Sequence, residues 1–230
     1  MYPGEWKGNN VPETNRILIL GESHYDENND GDVGKVSSYT TAEVVESYLS
    51  HRELSEGFEN WHRFFDRIAE SFGYTHERSK EFYGKVFFGN YVPVLCGKGD
   101  TNKSGYFMNF NRTEYNNELF SFVNQNRISV IVCFTKATFW NLPAASNKDQ
   151  DTYDEIKLPS IGGRMNKINV YEYALGVKHG SCDIALEAPL KVYGIRHPSA
   201  KGGYNSKQVY EVLSREACLQ GICLNVNSRG

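Results

Sequence analysis

The chain has 230 residues, of which 40% are hydrophobic and 13% aromatic, the balance of a protein that buries a core. Its net charge of −3 excludes a strongly basic protein that coats nucleic acid. No window approaches the roughly 18 apolar residues of a membrane helix, and the first residues lack an apolar signal region. We therefore expect a cytoplasmic protein with no membrane partner, folded as one domain over residues 1–230.

The five cysteines form no recognisable pattern, because their number is odd and no Cys-x-x-Cys pair occurs. Such spacing predicts reduced thiols, with neither a disulfide framework nor a zinc site. The acidic stretch from Asp26 to Asp32 lacks the final glutamate and the preceding helix of a calcium loop, so a solvated loop is predicted there. We expect no metal, no cofactor and no obligate protein partner.

The first half of the chain contains two apolar runs that predict buried strands. Arg16–Gly21 is almost continuously apolar and ends in glycine, which is typical of a strand covered on both faces. Helices are predicted over Thr41–Leu49 and over Asn60–Phe72, where apolar residues recur at helical spacing. A second strand is predicted over Val86–Pro93, followed by a loop over Gly97–Gly105.

The second half continues the alternation of helix and strand. The predicted elements are a helix over Thr113–Asn124, a strand over Ile128–Phe134, a helix over Lys136–Leu142, a strand over Leu190–Arg196 and a helix over Ser206–Leu219. This alternation predicts the α/β class, as a three-layer α/β/α sandwich around a roughly four-stranded parallel sheet.

Two segments interrupt the alternation, near residues 26–58 and 144–188, and we interpret both as insertions. Residues 144–160 are polar and predict an exposed excursion. A peripheral hairpin is predicted from Lys167–Leu175 and Ile184–Leu186.

Open α/β sheets bind ligands outside the carboxyl ends of their strands, so the residues that follow each apolar run are candidate site residues. They are Gly21, Glu22, Ser23, His24, Tyr25 and Asp26 after the first strand, Asn90 and Tyr91 after the second, and His197, Pro198 and Ser199 after the fourth. Together they offer a carboxylate, an amide, an imidazole and aromatic faces. Such a set suits the recognition of a small ring and the cleavage of a bond to it.

Three of these segments resemble motifs of the uracil-DNA glycosylase superfamily. Leu20–Tyr25 is similar to a motif of the G-Q-D-P-Y or G-E-A-P-G type, Gly89–Pro93 to a strand-end Asn segment, and Arg196–Ala200 to an H-P-S motif. Their order and spacing agree with that family from about residue 15 to 220, apart from the insertions. The resemblance implies a DNA glycosylase that hydrolyses the N-glycosidic bond of a flipped-out non-canonical pyrimidine and leaves an abasic site.

Chemistry and resemblance assign roles to these residues. Cleavage of the bond leaves negative charge on the departing base, and His197 is suited to donate a hydrogen bond to it. The Asn90 amide presents both a donor and an acceptor to the edge of a pyrimidine. The resemblance implies that Tyr25 lies against the base and that Ser199 contacts a backbone phosphate. Further substrate contacts are expected from Gly21, Ser23, His24, Asp26 and Tyr91, and further DNA contacts from Pro198 and Lys201.

The sequence departs from the family pattern at two positions. Ser23 stands where the uracil-specific branch has the aspartate that activates water, and a hydroxyl is a poor base. We expect Glu22 to take that role, with Asp26, or no residue at all, as the alternatives. His24 replaces a common proline and adds an imidazole. No cysteine precedes Cys96, so no iron-sulfur cluster is expected.

The negative net charge means that DNA binding requires a local basic patch. Six cations flank the site segments in the sequence: Lys98, Lys103, Arg112, Arg196, Lys201 and Lys207.

Substrate and activity have alternatives. The excised base is either uracil or a related deaminated base, or a modified pyrimidine such as a modified cytosine of phage DNA, in repair or in antiviral defence. A catalytically silent nucleic-acid-binding module on the same fold is the second function. A serine hydrolase that uses Ser23 and His197 is the third, although the G-x-S-x-G elbow is absent.

Overall fold

The computed structural model describes residues 5–26, 32–35, 41–54, 59–98, 103–144, 151–161, 164–200 and 203–224. The strands, in chain order, are β1 (Trp6–Lys7), β2 (Arg16–Gly21), β3 (His24–Asp26), β4 (Phe87–Asn90), β5 (Leu95–Lys98), β6 (Ile128–Cys133), β7 (Thr152–Ile161), β8 (Arg164–Tyr173) and β9 (Leu190–Gly194). The α-helices are α1 (Thr41–Leu54), α2 (His62–Glu70), α3 (Ser79–Tyr83), α4 (Ser104–Phe110), α5 (Arg112–Asn126), α6 (Lys136–Asn141) and α7 (Ser206–Leu213). Short 3-10 turns cover His76–Arg78 and Ala217–Leu219.

Seven strands form the main sheet, in the order β1-β4-β2-β6-β9-β8-β7. Neighbouring strands pair in parallel from β4 through β2 and β6 to β9. At one edge β1 pairs antiparallel with β4, and at the other β8 and β7 extend the sheet with antiparallel pairing. The α/β class is confirmed, but the prediction of a roughly four-stranded parallel sheet is wrong, because the sheet is larger and mixed.

The strands that the sequence did not predict lack a continuous apolar run. In β7 most side chains are exposed, because this strand lies at the sheet edge, and its polar sequence was interpreted as an exposed excursion. The predicted hairpin is also wrong: β8 pairs with β7 and β9, and Ile184–Leu186 is not a strand. The predicted loop over Gly97–Gly105 overlaps the end of β5 and the start of α4. The parallel pair β3 and β5 forms a separate two-stranded sheet.

Helices cover both faces of the sheet. Successive residues of β2 point to opposite faces, so Ile17 and Ile19 pack in one core cluster while Leu18 and Leu20 pack in the other. The first cluster takes apolar side chains from α1, α2, α3 and α7, and the second takes them from α4, α5 and α6. Each fully buried aliphatic side chain contributes about 1.5–3 kcal/mol, so the two faces hold the central strands firmly. The layers are therefore helix, sheet and helix.

The lengths of the described helices can be compared with the thickness of a bilayer. Among the described residues, no helix has the length and apolar character needed to cross a bilayer.

Candidate functional site

The polar groups of interest lie at the carboxyl ends of the four neighbouring parallel strands. Asn90 ends β4, Glu22 directly follows β2, Thr135 lies two residues after the end of β6, and His197 lies three residues after the end of β9. Because parallel strands end at the same edge of a sheet, these side chains share one rim. The sequence predicted three of the four; Thr135 was missed although it directly follows the third apolar run.

Asn90 is held close to the end of β2. Its Nδ2 group donates to Oγ1 of Thr41, the first residue of α1, at 3.3 Å. A Cβ atom at Gly21 would overlap the Oδ1 atom of Asn90. Glycine at position 21 is thus required for this amide to lie over the strand end. The structure brings both residues together, as the sequence predicted.

The Glu22 carboxylate is held by two hydroxyl groups. Oε1 accepts a hydrogen bond from Ser104 Oγ at 2.5 Å, and Oε2 accepts one from Thr135 Oγ1 at 2.9 Å. Ser104 is the first residue of α4, and Thr135 caps the start of α6, where its Oγ1 also accepts from the Ala137 N–H at 3.2 Å. Each carboxylate oxygen has a second lone pair, so the group retains capacity to accept a proton or a further hydrogen bond.

The ring of His197 has a defined tautomer. The backbone N–H of Ser199 donates to Nδ1 at 3.1 Å, so Nδ1 carries no proton and the neutral ring has its proton on Nε2. Burial lowers the pKa of His197, and the nearby Glu22 charge opposes this only in part. Phe64 stacks on the ring, with 5.1 Å between centroids and 24° between planes. His197 is therefore a neutral Nε2–H donor near neutral pH.

Helix α2 supports the loop that carries His197. Phe64 and Arg67 both belong to α2, and the Arg67 Nη1 group donates to the carbonyl of Pro198. Within the loop, the Ala200 N–H donates to the His197 carbonyl at 3.0 Å. Pro198 is buried and Ser199 exposed, so of these two predicted DNA contacts only Ser199 is open to a ligand. Sequence reasoning missed this role of α2, because the contacts span more than 130 residues.

Ser23 has a buried hydroxyl. Among the described residues its Oγ atom has no hydrogen-bond partner, and no bond joins it to His197. It lies close enough to the Cys96 thiol to favour the thiolate, but burial dominates and raises the pKa of Cys96 to about 11. The pairing of serine with histidine that a serine hydrolase needs is absent here.

Tyr91 does not face the strand-end site. Its side chain is completely buried in the second core cluster, and its hydroxyl donates to Asn116 Oδ1 at 3.0 Å and to the Asn141 carbonyl at 3.2 Å. Adjacent residues of an extended chain point to opposite sides, so Tyr91 points away when Asn90 points in. The prediction that Tyr91 contacts substrate is wrong.

For several predicted site residues the structure does not describe the side chain. For His24, Tyr25 and Asp26 only the backbone is described, as strand β3. Lys201 lies entirely outside the described residues. Their predicted roles stay predictions.

A cleft of about 360 Å³ opens beside His197. It is lined by Thr135, Lys136, Ala137, Asn166, Arg196, His197 and Ala200. Asn166 comes from β8, so a strand that the sequence assigned to a peripheral hairpin contributes to the cleft lining. In the described ranges, no group of three or more His, Cys, Asp or Glu side chains is placed to hold a metal ion.

No protein-family model matches the sequence, and no curated protein matches it either. The geometry of the strand-end site is thus the basis for a functional assignment.

Proposed function

We propose that the protein is a DNA glycosylase that hydrolyses the N-glycosidic bond of a flipped-out non-canonical pyrimidine. The observation that carries this proposal is the convergence of a neutral Nε2–H donor, His197, and a fixed carboxylate, Glu22, at one sheet edge. The Asn90 amide stands at the same edge. An acid, a base and a reader of a ring edge are the parts that such a reaction requires.

The reaction assigns a separate task to each group. As the C1′–N bond breaks, its electron pair leaves with the base, and the Nε2–H of His197 donates to the oxygen on which the charge accumulates. A water molecule adds to C1′ and completes the abasic sugar. Glu22 accepts the proton that this water loses. The proton then passes to the base anion, so that the products are an abasic site and a neutral base.

An exposed aromatic surface on helix α4 favours a ligand that extends beyond a single base. Tyr106 and Phe110 are 58% and 74% exposed, with ring centroids 4.5 Å apart. The helix contains no carboxylate, and the exposed Lys103 precedes it. Exposed aromatic rings beside cations are typical of surfaces on which unpaired bases stack. Ser104 of the same helix contacts Glu22, so α4 carries both this exposed surface and a support of the site.

Uracil and a modified cytosine are the two candidate bases. The Asn90 amide can pair with either one, because it has both a donor and an acceptor. A panel of DNA substrates separates the two candidates.

The test is incubation of the protein with end-labelled oligonucleotides that contain uracil, a thymine mismatch, 5-hydroxymethylcytosine or its glucosylated forms, followed by alkali. Alkali cleaves the strand at abasic sites, so strand breaks report base removal. We expect breaks at one class of modified base. His197→Ala should abolish them, whereas His76→Ala, which changes an exposed histidine, should not.

The second candidate function is a silent nucleic-acid-binding module. It is favoured by the serine at position 23, whose buried hydroxyl cannot replace a carboxylate as a base. Binding to every oligonucleotide of the panel without strand breaks would support this module over the glycosylase.

A further inference from the structure

Two cations line the cleft beside His197. Lys136 and Arg196 both face it, and within the described ranges neither forms a hydrogen bond or an ion pair. Both side chains are half-buried. A cation that is partly removed from water and unpaired costs free energy unless an anion joins it.

Among the described residues, the charged groups near this pair are further cations or carboxylates that have hydrogen-bond partners of their own. Burial lowers the pKa of Lys136, and the charges of Lys167 and Arg196 lower it further. Glu155 opposes this shift, but its carboxylate forms an ion pair with Lys167. The other carboxylate nearby, Glu22, accepts hydrogen bonds from Thr135 and Ser104. Both charged residues of the cleft lining, Lys136 and Arg196, are thus cations.

The Arg196 guanidinium packs closely against Gly203. A Cβ atom at position 203 would overlap the Cζ and Nη1 atoms of Arg196. A planar guanidinium held in this way presents its remaining N–H groups as a rigid fork, which matches the oxygen atoms of a phosphate. The Asn166 amide on β8 adds a neutral donor to the cleft lining.

We propose that this cleft is a phosphate-binding subsite, in which Arg196 and Lys136 bind the anion and Asn166 donates to it. The subsite is inferred from the cleft and the two cations that line it. The identity of the molecule that carries the phosphate rests on the proposed function. That source is either a phosphodiester of the strand beside the flipped nucleotide or the terminal phosphate of a nucleotide.

The first experiment measures the binding of inorganic phosphate by calorimetry at constant ionic strength. We expect Lys136→Met and Arg196→Met each to weaken binding about tenfold or more. Lys157→Met, which changes an exposed lysine on the neighbouring strand β7, should leave it unchanged. Asn166→Asp places a negative charge in the cleft and should abolish binding without removing a cation. Circular dichroism checks that each variant folds.

The second experiment distinguishes the sources. If the phosphate belongs to the strand, one methylphosphonate linkage beside the modified base weakens oligonucleotide binding by the same factor as Lys136→Met does. If it is a terminal phosphate, a nucleoside 5′-monophosphate binds at least tenfold more tightly than its nucleoside, and the methylphosphonate has no effect.

Equal phosphate binding by the wild-type protein, Lys136→Met and Asn166→Asp would overturn the subsite. Base release that persists in that case would leave the proposed function standing. Phosphate binding without base release on any DNA would leave the subsite standing and contradict the proposed function.

Discussion

At the scale of single residues, the tautomer of His197 depends on one backbone contact. The Ser199 N–H reserves Nδ1 as an acceptor, and the stacked Phe64 ring removes water from one face of the imidazole. Protonation of the ring would cost the hydrogen bond and bury a charge. The donor is thus kept neutral by its immediate surroundings.

This environment predicts the pH dependence of activity. An unperturbed histidine has a pKa of about 6.5, and burial lowers the pKa of His197 below that value. Protonation of His197 should therefore lower kcat/KM only below about pH 6.5, and the part of the acid limb that it causes should be absent from His197→Gln. Stability follows the same sign: the contribution of neutral His197 is complete above the unfolded pKa and is lost as pH falls toward the folded pKa. An acid limb unchanged in His197→Gln would contradict this assignment.

Glu22 gives a second prediction at this scale. Glu22→Gln retains an acceptor for one of the two hydroxyl donors, Ser104 or Thr135, but removes the base. We expect base release to slow by roughly 10²- to 10⁴-fold, with unchanged DNA binding. Single-turnover kinetics measure this, with Glu114→Gln as the control for an exposed glutamate. An unchanged rate would assign water activation to Asp26 or to no residue.

At the scale of elements, the sequence predicted the strands that are buried on both faces and missed the strand at the edge. β2 and β6 have continuous apolar runs because helices cover both of their sides. β7 is an edge strand with an exposed, polar sequence, so periodicity could not identify it. The site followed the same rule: Glu22 and His197 lie within three residues of the ends of β2 and β9, whereas Ser104 and Phe64 reach them from helices distant in sequence.

The segment after β8 is attached through a buried pair. His179 Nδ1 lies 2.8 Å from Asp151 Oδ2, both side chains are fully buried, and Asp151 Oδ1 accepts from the Ala174 N–H at 2.8 Å. His179→Leu should destabilise the fold by about 3–5 kcal/mol, because it leaves a carboxylate buried without its partner. Urea unfolding measures this loss. His76→Leu, which removes a histidine from an exposed ion pair, is the control and should change the free energy of unfolding by less than about 1 kcal/mol. An equally small change in His179→Leu would show that the buried pair does not hold the segment.

At the scale of the whole molecule, one sheet is shared by both core clusters. The alternating side chains of β2 contribute to each of them, so neither helical layer can separate without exposing the same strands. The single domain over residues 1–230 stays a prediction.

We therefore predict a single cooperative unfolding transition. Leu213→Ala on one face and Leu119→Ala on the other should each cost about 2–5 kcal/mol and shift the whole transition. Scanning calorimetry checks this by comparing the calorimetric and van't Hoff enthalpies. Two transitions, each moved by one substitution only, would contradict a shared core.

The most direct test of the glycosylase proposal is mass spectrometry of the small molecules released from DNA that contains uracil or modified cytosines. We predict that the wild-type protein releases one free pyrimidine base for each abasic site formed, and that His197→Ala releases none. DNA that is bound but yields no free base with the wild-type protein would contradict the proposal.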